Sequence, residues 1–457
     1  MRSTESPNSW EQRDLNHLFH GFSDMQSLHT LGPVVLSHGK GIFVHDVQGK
    51  RYLDANSGLW NVIAGFDHPG LIEAVCEQAR KFPGYHSFFG RVSDVTVELA
   101  EKLVEVSPFD SGKVFFTNSG SEANDTAVKM LWLINAHRGE EKRRKIITRI
   151  NAYHGVTAVS ASMTAKPYNR IFGLPLSGFI HTDCPHHWRF AENGESELEF
   201  SNRLADSLEQ QIIDEGPESI AGFFAEPVMG AGGVIPPPRG YFAAIQAVLK
   251  KYDIPLIADE VITGFGRTGK LWGVQTYDIE PDVIIASKCI TAGYFPMGAV
   301  ILSQAMAEKL TAASKAEEEF AHGFTTAGHP IGCAVALKAI DVIMNEGLLD
   351  NVGAVSPYFQ RRLQEFESLE YIGEARGVGL MGALEMVSDK ATKAPFPSAL
   401  SVSERVANTA LEFGMICRPI GQAVVLCPPF IITKAEIDQL FDALEKTLDK
   451  VFSEVPG

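Results

Sequence analysis

The sequence predicts an α/β fold in which a large domain, with a mostly parallel sheet flanked by helices, lies beside a smaller α+β domain. Short apolar runs alternate with helical patterns through the middle of the chain, and strands separated by helices form right-handed crossovers in a parallel sheet. Both ends of the chain mix strand and helix patterns instead. We therefore predict a large domain over residues 73–330, and a smaller domain that combines residues 1–72 with residues 331–457.

The predicted strands of the large domain are short runs rich in β-branched, aromatic and other apolar residues. They cover residues 114–117, 146–150, 254–258, 283–286 and 299–302. Helical spacing places two apolar faces among them, formed by Ala127, Met130, Leu131 and Ile134 and by Ile245, Val248, Leu249 and Tyr252. In the smaller domain we expect two short strands within residues 41–49, a strand over 378–387, and helices over 333–345 and 435–451.

Charge and cysteine usage exclude several classes of protein. The 457-residue chain has a formal net charge of −16, because 56 acidic residues outnumber 40 basic ones. That charge opposes binding to nucleic acid or to an anionic membrane. The six cysteines are scattered without a CxxC pair, as is typical of reduced thiols in the cytosol. With a polar N-terminus and no window near the roughly 18 apolar residues of a spanning helix, we predict a cytoplasmic protein.

Three familiar patterns are rejected. Residues 377–382 match GxGxxG, but a strand pattern follows them, whereas a dinucleotide site needs a helix there. Residues 264–270 resemble a P-loop, but Leu271 stands where a magnesium-binding Ser or Thr is required. Residues 181–188 are rich in possible metal ligands, but adjacent histidines such as His186 and His187 usually point in different directions, and no second ligand pair lies at zinc-site spacing. We interpret that segment as a structural loop and predict no metal site.

Chemically informative residues follow four of the predicted strands. Gly120 and Ser121 lie where the first strand meets its helix, and small residues there allow backbone N–H groups to bind a phosphate. Tyr153 follows the next strand and offers an aromatic ring. Asp259 and Lys288 follow later strands, whose carboxyl ends border the ligand crevice of a parallel sheet. Each residue alone fits an ordinary strand end, but together they supply what a pyridine-aldehyde phosphate requires.

The combined pattern resembles the class III aminotransferases of pyridoxal-phosphate (PLP) fold type I. The similarity runs from about residue 9 to residue 451 through the motifs at residues 52–54, 117–124, 225–228, 259–261, 264–269 and 287–288. It is greatest to the ω-amino acid and amine:pyruvate transaminases, through residues 56–60, 82–89 and 416–419. The resemblance implies pyridoxal 5'-phosphate as cofactor. It also implies ping-pong transfer of an amino group from an amine or ω-amino acid to pyruvate or a similar oxo acid.

The resemblance further assigns roles around the cofactor ring. Lys288 would carry the cofactor as a Schiff base and then move a proton between the substrate and the cofactor. Asp259 would pair with the pyridinium nitrogen and keep it protonated. Tyr153 would stack on the face of the ring.

Other residues would hold the phosphate or support the pocket. Gly120 and Ser121 would bind the phosphate together with Thr325 of the partner subunit, so the resemblance implies a homodimer with shared sites, which could assemble further into a tetramer. Glu226 would support the cofactor pocket.

For the substrate, the resemblance implies one large and one small pocket and a mobile cation. The pocket walls would be Phe22, Trp60, Phe88 and Phe89. Arg418 would bind the carboxylate of the acceptor and move aside for apolar amines. Relatives that act on ornithine derivatives or 4-aminobutyrate carry a Gly-Glu-Gly segment whose glutamate pairs with this arginine, whereas this chain has Ala231 between Gly230 and Gly232. That departure favours the amine or β-alanine group.

Two alternatives remain at the level of sequence. An aminomutase or a decarboxylase would share the whole cofactor constellation. A non-catalytic, PLP-binding regulatory protein would share the cofactor pocket alone. An alanine product from pyruvate and an amine would distinguish transamination from both.

Overall fold

The computed structural model describes residues 8–455. Its strands are β1 Leu36–Lys40, β2 Phe43–Asp46, β3 Arg51–Asp54, β4 Gly112–Thr117, β5 Lys145–Arg149, β6 Phe179–Thr182, β7 Ile220–Ala225, β8 Leu256–Asp259, β9 Val283–Ala286, β10 Gly298–Ser303, β11 Ile372–Val378, β12 Met381–Met386, β13 Met415–Ile416, β14 Arg418–Ile420 and β15 Ala423–Leu426. Within the described residues these strands form one seven-stranded sheet and two four-stranded sheets.

Helices of very different length surround the sheets. The α-helices are α1 Trp10–His17, α2 Met25–Leu31, α3 Ser57–Trp60 (a single irregular turn), α4 Pro69–Lys81, α5 Asp94–Val106, α6 Gly120–His137, α7 Ala158–Met163, α8 His187–Phe190, α9 Glu197–Glu215, α10 Tyr241–Lys251, α11 Gln304–Ala316, α12 Pro330–Asn345, α13 Leu348–Glu365, α14 Val402–Ala410 and α15 Lys434–Ser453. Short 3-10 helices cover Pro167–Phe172, Pro217–Ser219, Gly273–Gln275, Lys288–Thr291, Phe366–Ser368 and Ser398–Leu400. Over residues 8–455, none of the helices is both long and apolar enough to cross a bilayer.

The seven-stranded sheet confirms the predicted mostly parallel arrangement. Its strand order is β4-β10-β9-β8-β7-β5-β6, and the pairings from β9 through to β6 are all parallel. The exception is β10, which runs antiparallel to both of its neighbours, β4 and β9. Only residues 287–297 connect β9 to β10, and so short a connection does not allow the crossover that a parallel pair requires.

The central strands are buried on both faces, and this burial determines where their side chains point. In β8, Leu256 and Ala258 belong to one hydrophobic core, whereas Ile257 belongs to a second core on the opposite face. Strand side chains alternate between faces, so Asp259, at the end of β8, lies on the face of Ile257. The second core also contains Ala127 and other residues of α6, and the C-terminal end of β8 is therefore directed towards that helix.

The predicted helical faces are found, but two strand predictions are wrong in extent. Residues 41–49 contain one strand, β2, instead of the two expected, because the neighbouring strands end at Lys40 and begin at Arg51. Ala127, Met130, Leu131 and Ile134 are all buried on α6, as are Ile245, Val248 and Leu249 on α10. The run over 378–387 is not one strand. It belongs to the antiparallel hairpin of β11 and β12, because Gly379 adopts a left-handed φ of 59° that reverses the chain.

Both chain ends contribute to the two smaller sheets. One sheet has the order β1-β2-β3-β13, and in it Leu53 and Asp54 pair in parallel with Met415 and Ile416. The other sheet, β11-β12-β15-β14, comes from the C-terminal part of the chain alone. The predicted division into residues 1–72, 73–330 and 331–457 stays a prediction.

The buried side chain of Arg267 ties several of these segments together. Its Nη1 atom donates to the carbonyl oxygens of Leu380 at 3.2 Å and Pro428 at 2.6 Å, and its guanidinium lies 4.5 Å from the centroid of the Phe430 ring. Arg267 therefore stabilises the junction between the large sheet and the C-terminal segments through carbonyl groups.

We expect Arg267→Met to lower the thermal unfolding midpoint clearly. The variant leaves the Leu380 and Pro428 carbonyl groups without their donor, and a buried polar group without a partner costs about 1–3 kcal/mol. The control is Lys270→Met, which removes an exposed cation from the same loop. Equal midpoints for the two variants in a thermal scan would contradict this role of Arg267.

Candidate active site

A cavity of about 110 Å³ lies at the carboxyl ends of β8 and β9. Its lining residues are Gly120, Ser121, Tyr153, His154, Gly155, Glu226, Asp259, Val261, Ile262, Ser287 and Lys288. Every residue predicted to contact the cofactor lines this cavity except Thr325. The structure therefore brings the predicted lysine and carboxylate into one cavity, beside the predicted phosphate turn.

Lys288 is held at the cavity by an unusual backbone conformation. It follows the end of β9 and has a left-handed φ of 44°, which directs its side chain away from the path of the strand. Burial lowers the pKa of the Lys288 amine, and the nearby Asp259 carboxylate opposes this shift. A lowered pKa increases the neutral, nucleophilic fraction of the amine.

The carboxylate of Asp259 is buried and accepts three hydrogen bonds. His154 Nδ1 lies 2.7 Å from Asp259 Oδ2, and Asn124 Nδ2 donates to the same oxygen at 3.0 Å. The backbone N–H of Val261 donates to Oδ1 at 3.1 Å. A buried carboxylate is costly unless such partners compensate it. These contacts hold the carboxylate in one orientation at the edge of the cavity.

His154 and Asn124 are functional candidates that the sequence analysis missed. Asn124 also donates to the carbonyl oxygens of His154 at 2.9 Å and of Gly120 at 3.2 Å, so it links the turn at Gly120 to Asp259. His154 Nε2 is buried without a hydrogen-bond partner among the described residues. Asn124 could have been found from its spacing, because it follows Gly120 by four residues on α6 and residues four apart on a helix share one face.

The turn before α6 brings backbone N–H groups to the cavity. Ser119 caps the helix by accepting from the N–H of Glu122 at 3.2 Å. A Cβ atom on Gly120 would lie 2.9 Å from Val261, and one on Gly155 would lie 2.3 Å from the hydroxyl of Ser121. The two glycines therefore permit a close approach that larger residues would prevent. The N-terminus of an 18-residue helix favours an anion at this position.

Glu226 supports the opposite wall of the cavity. Its two carboxylate oxygens accept from the backbone N–H of Tyr153 at 3.1 Å and of Gly230 at 2.9 Å. Burial raises the pKa of the Glu226 carboxyl above its ordinary value. Through these contacts Glu226 connects the segment that carries Tyr153 to the segment at Gly230.

Two of the predicted substrate residues lie together beside the cavity, and a third is connected to them. Arg418 is half-buried, and its guanidinium lies 5.8 Å from the centroid of the Trp60 ring. Burial lowers the pKa of Arg418, while the phenol groups of Tyr153 and Tyr168 oppose that shift. Phe22 is exposed and makes an edge contact with Tyr168 at 5.8 Å between ring centroids. Phe22 thus contacts Tyr168, whose phenol lies close enough to Arg418 to affect its pKa.

The remaining predicted residues lie away from this cavity in the single chain. Phe88 lines a separate apolar cleft of about 380 Å³ together with Phe324. Phe89 is 82% exposed, and Thr325 is exposed as well. One chain alone does not bring these three predicted residues to Lys288.

The segments that the sequence analysis set aside have other roles in the fold. Residues 377–382 form the turn of the β11–β12 hairpin. His186 Nε2 pairs with Glu374 at 2.7 Å, whereas His187 Nε2 lies 2.9 Å from the Glu195 carbonyl. Over residues 8–455 no group of three or more His, Cys, Asp or Glu side chains could hold a metal ion.

Glu260, next to Asp259, is fully buried and holds a neighbouring loop. It accepts hydrogen bonds from the backbone N–H groups of Val274 at 2.7 Å and Gly273 at 3.0 Å, and from the Thr263 hydroxyl. Burial raises the pKa of Glu260 to about 7. Its carboxyl group thus joins the end of β8 to the segment over residues 263–274.

The fold and the cavity define an enzyme of PLP fold type I. The chain belongs to the family "Aminotransferase class-III", whose model matches residues 24–448. It is therefore a transaminase that depends on pyridoxal phosphate.

Solved structures and sequence relatives agree with this assignment. The PMP-bound form of an aminotransferase from Vibrio fluvialis is 64% identical, with a TM-score of 0.97 over 99% of this chain and 100% of that one. An omega-aminotransferase from Paracoccus denitrificans is also 64% identical, with a TM-score of 0.97 over 98% of this chain and 100% of that one. The probable gamma-aminobutyrate transaminase 3, mitochondrial, of Oryza sativa subsp. indica is 43% identical over 92% of this chain and 84% of its own length.

The residues of the cavity fit the cofactor. The cavity combines the N-terminus of a long helix, a buried carboxylate and a lysine amine, which match the phosphate, the ring nitrogen and the aldehyde of pyridoxal phosphate in turn. The close approach at Gly120 and Gly155 leaves no room for Cβ atoms at the wall of the cavity beside the N-terminus of α6.

The raised pKa of Glu260 predicts a pH-dependent contribution to stability. The group is ordinarily ionised above about pH 4.5, but in the folded state it keeps its proton up to about pH 7. The contribution of Glu260 to the free energy of unfolding is therefore fully present below its ordinary pKa. That contribution is lost as the pH rises through the pKa of the folded state.

We expect the unfolding midpoint of the wild type, measured relative to that of Glu260→Gln, to decrease as the pH is raised from about 4.5 to about 7. Thermal scans across this range measure the difference. Glu280→Gln, which replaces an exposed carboxylate by the same amide, is the control variant. Parallel pH curves for the wild type and Glu260→Gln would show that Glu260 does not titrate in this window.

Proposed function

We propose that this transaminase transfers the amino group of an amine or ω-amino acid to pyruvate or a similar oxo acid by a ping-pong mechanism. The observation that carries the proposal is that Lys288 and Asp259 border one cavity, with Arg418 close enough to influence both Lys288 and Tyr153. A cation in that position suits a substrate carboxylate. The amino-group chemistry and the recognition of an oxo acid would then share one site.

The chain's own residues would divide the work as follows. When bound, the cofactor supplies a ring that accepts electrons from the substrate Cα. Lys288 Nζ would hold the cofactor covalently and, once released, take up the proton that leaves the substrate Cα. Asp259 would face the ring nitrogen, with its Oδ2 atom held by His154 and Asn124. Tyr153 would cover one face of the ring.

Phosphate binding would occur at the turn before α6. Gly120 and Ser121 present the helix N-terminus there, and Glu226 holds the facing segment through the N–H of Tyr153. Thr325 of the partner subunit would complete the phosphate site. The exposure of Thr325 and Phe89, away from the cavity of their own chain, supports a homodimer with shared sites.

The residues around Arg418 support the amine subgroup rather than a 4-aminobutyrate transaminase. Ala231 stands where a glutamate could otherwise neutralise the arginine. The similarity to the omega-aminotransferase of Paracoccus denitrificans, at 64% identity, exceeds that to the rice gamma-aminobutyrate transaminase, at 43%. For the compartment we propose the cytoplasm, because all six cysteines are free thiols, as is typical of a reducing environment.

The first test combines an activity assay with the Lys288→Ala variant. Wild-type holoenzyme, racemic 1-phenylethylamine and pyruvate should give alanine and acetophenone in equal amounts. We expect Lys288→Ala to lose activity by about 10²–10⁴-fold or more, because the group that moves the proton is absent. Lys250→Ala, at an exposed lysine, is the matched control.

Two outcomes would refute the assignment. Near-normal turnover by Lys288→Ala would remove the lysine from the mechanism. A wild type that forms no alanine from a panel of amines would favour an aminomutase, a decarboxylase or a non-catalytic PLP protein.

A second test concerns Arg418. We expect Arg418→Leu to lower kcat/KM for pyruvate by about 10–100-fold, because a hydrogen bond to a charged group contributes about 1.5–3 kcal/mol. The half-reaction with 1-phenylethylamine, followed by the absorbance of the bound cofactor, should change much less. Arg405→Leu removes a cation that pairs with Glu454 instead and serves as control. An equal loss in both half-reactions would exclude carboxylate binding as the role of Arg418.

A further inference from the structure

The turn that carries Trp60 has a strained backbone. Ser57, Gly58 and Trp60 all have positive φ values, of 49°, 63° and 66°. Residues with side chains adopt this region only when their surroundings hold them there, and such conformations concentrate at functional sites. We call residues 55–60 the Trp60 turn.

Two buried polar side chains hold the Trp60 turn. Asp54 accepts from the backbone N–H groups of Asn56 at 2.9 Å and Gly58 at 2.5 Å. Asn56 in turn donates to the carbonyl oxygen of Gly58 at 3.0 Å and accepts from the indole Nε1 of Trp60 at 2.5 Å. Asp54 and Asn56 are 3% and 6% exposed, and neither lines the cavity at Lys288. Any effect of Asp54 and Asn56 on the cavity is therefore transmitted through the Trp60 turn.

The indole ring of Trp60 has little freedom on one side. A Cβ atom on Gly230 would lie 2.4 Å from Trp60 Cζ3 and 2.4 Å from Ile262 Cδ1, so the ring is packed closely against this segment. The ring also faces Arg418, whose guanidinium lies 5.8 Å from the ring centroid. The ring is 1% exposed, and its position between the Gly230 segment and Arg418 therefore sets how much space lies beside the guanidinium.

We propose that Asp54 and Asn56 are positioning residues that hold the Trp60 indole against Gly230 and so leave room for bulky aryl-alkyl amine donors beside Arg418. The proposal rests on the proposed function, in which Trp60 is a wall of the substrate pocket. Donor size would then be determined partly by two side chains that never touch the substrate.

The test compares donors of different size in Asn56→Ala. We expect the ratio of kcat/KM for 1-phenylethylamine to kcat/KM for 2-aminobutane, with pyruvate as acceptor, to fall about tenfold, which corresponds to about 1.4 kcal/mol. In a Trp60→Phe background, which lacks the indole N–H, Asn56→Ala should cause no further fall. Asn351→Ala, which removes two part-buried hydrogen bonds to the carbonyl groups of Phe430 and Ile432, should leave the ratio unchanged. A ratio that is unchanged or raised in Asn56→Ala, or an equal fall in Asn351→Ala, overturns the proposal.

A spectroscopic measurement separates this proposal from the proposed function. The indole N–H resonance of Trp60, assigned by its loss in Trp60→Phe, should shift upfield in Asn56→Ala and stay in place in Asn351→Ala. In the wild type the same indole N–H should exchange slowly with solvent, which can be measured even if Asn56→Ala does not fold. A wild type that transaminates neither amine would refute the proposed function alone. An unmoved resonance or a rapidly exchanging indole N–H would refute the positioning role alone.

Discussion

The structure depends above all on a carboxylate buried at the end of a central strand. Asp259 lies where β8 ends, on the face directed towards α6, and it needs partners because an isolated buried charge is costly. His154, Asn124 and the backbone of Val261 supply them. Each partner comes from a different segment, so satisfying this one group brings the helix N-terminus, the Tyr153 segment and the strand end together around one cavity.

The same burial acts in opposite directions on the charged groups of the site. It lowers the pKa of the Lys288 amine and raises the pKa of Glu226 and Glu260, because low polarity disfavours either charge. A less basic lysine has a larger neutral fraction near neutral pH, whereas the two glutamates serve as acceptors for backbone N–H groups and hold neighbouring segments. One physical effect thus favours both a neutral lysine and neutral carboxyl groups.

Much of the fold and the inner site could be predicted from the sequence, because the relevant signals are local. Alternating strands and helices indicated the parallel sheet, and Gly120, Tyr153, Asp259 and Lys288 could be placed because each follows a strand. The β11–β12 hairpin could not be predicted, since the left-handed φ of Gly379 is invisible in an apolar run. His154 was overlooked because its contact with Asp259 joins residues that are distant in sequence.

The sequence by itself determined the family, the cofactor and the kind of chemistry, because these follow from residue types at strand ends and from motifs that extend along the chain. Only the tertiary structure decided which oxygen of Asp259 each partner contacts, and that Trp60 packs against Gly230 beneath Arg418. It also decided that Phe88, Phe89 and Thr325 lie away from the cavity of their own chain. The reason is physical: side-chain direction and backbone strain arise from packing between distant segments, which no local pattern encodes.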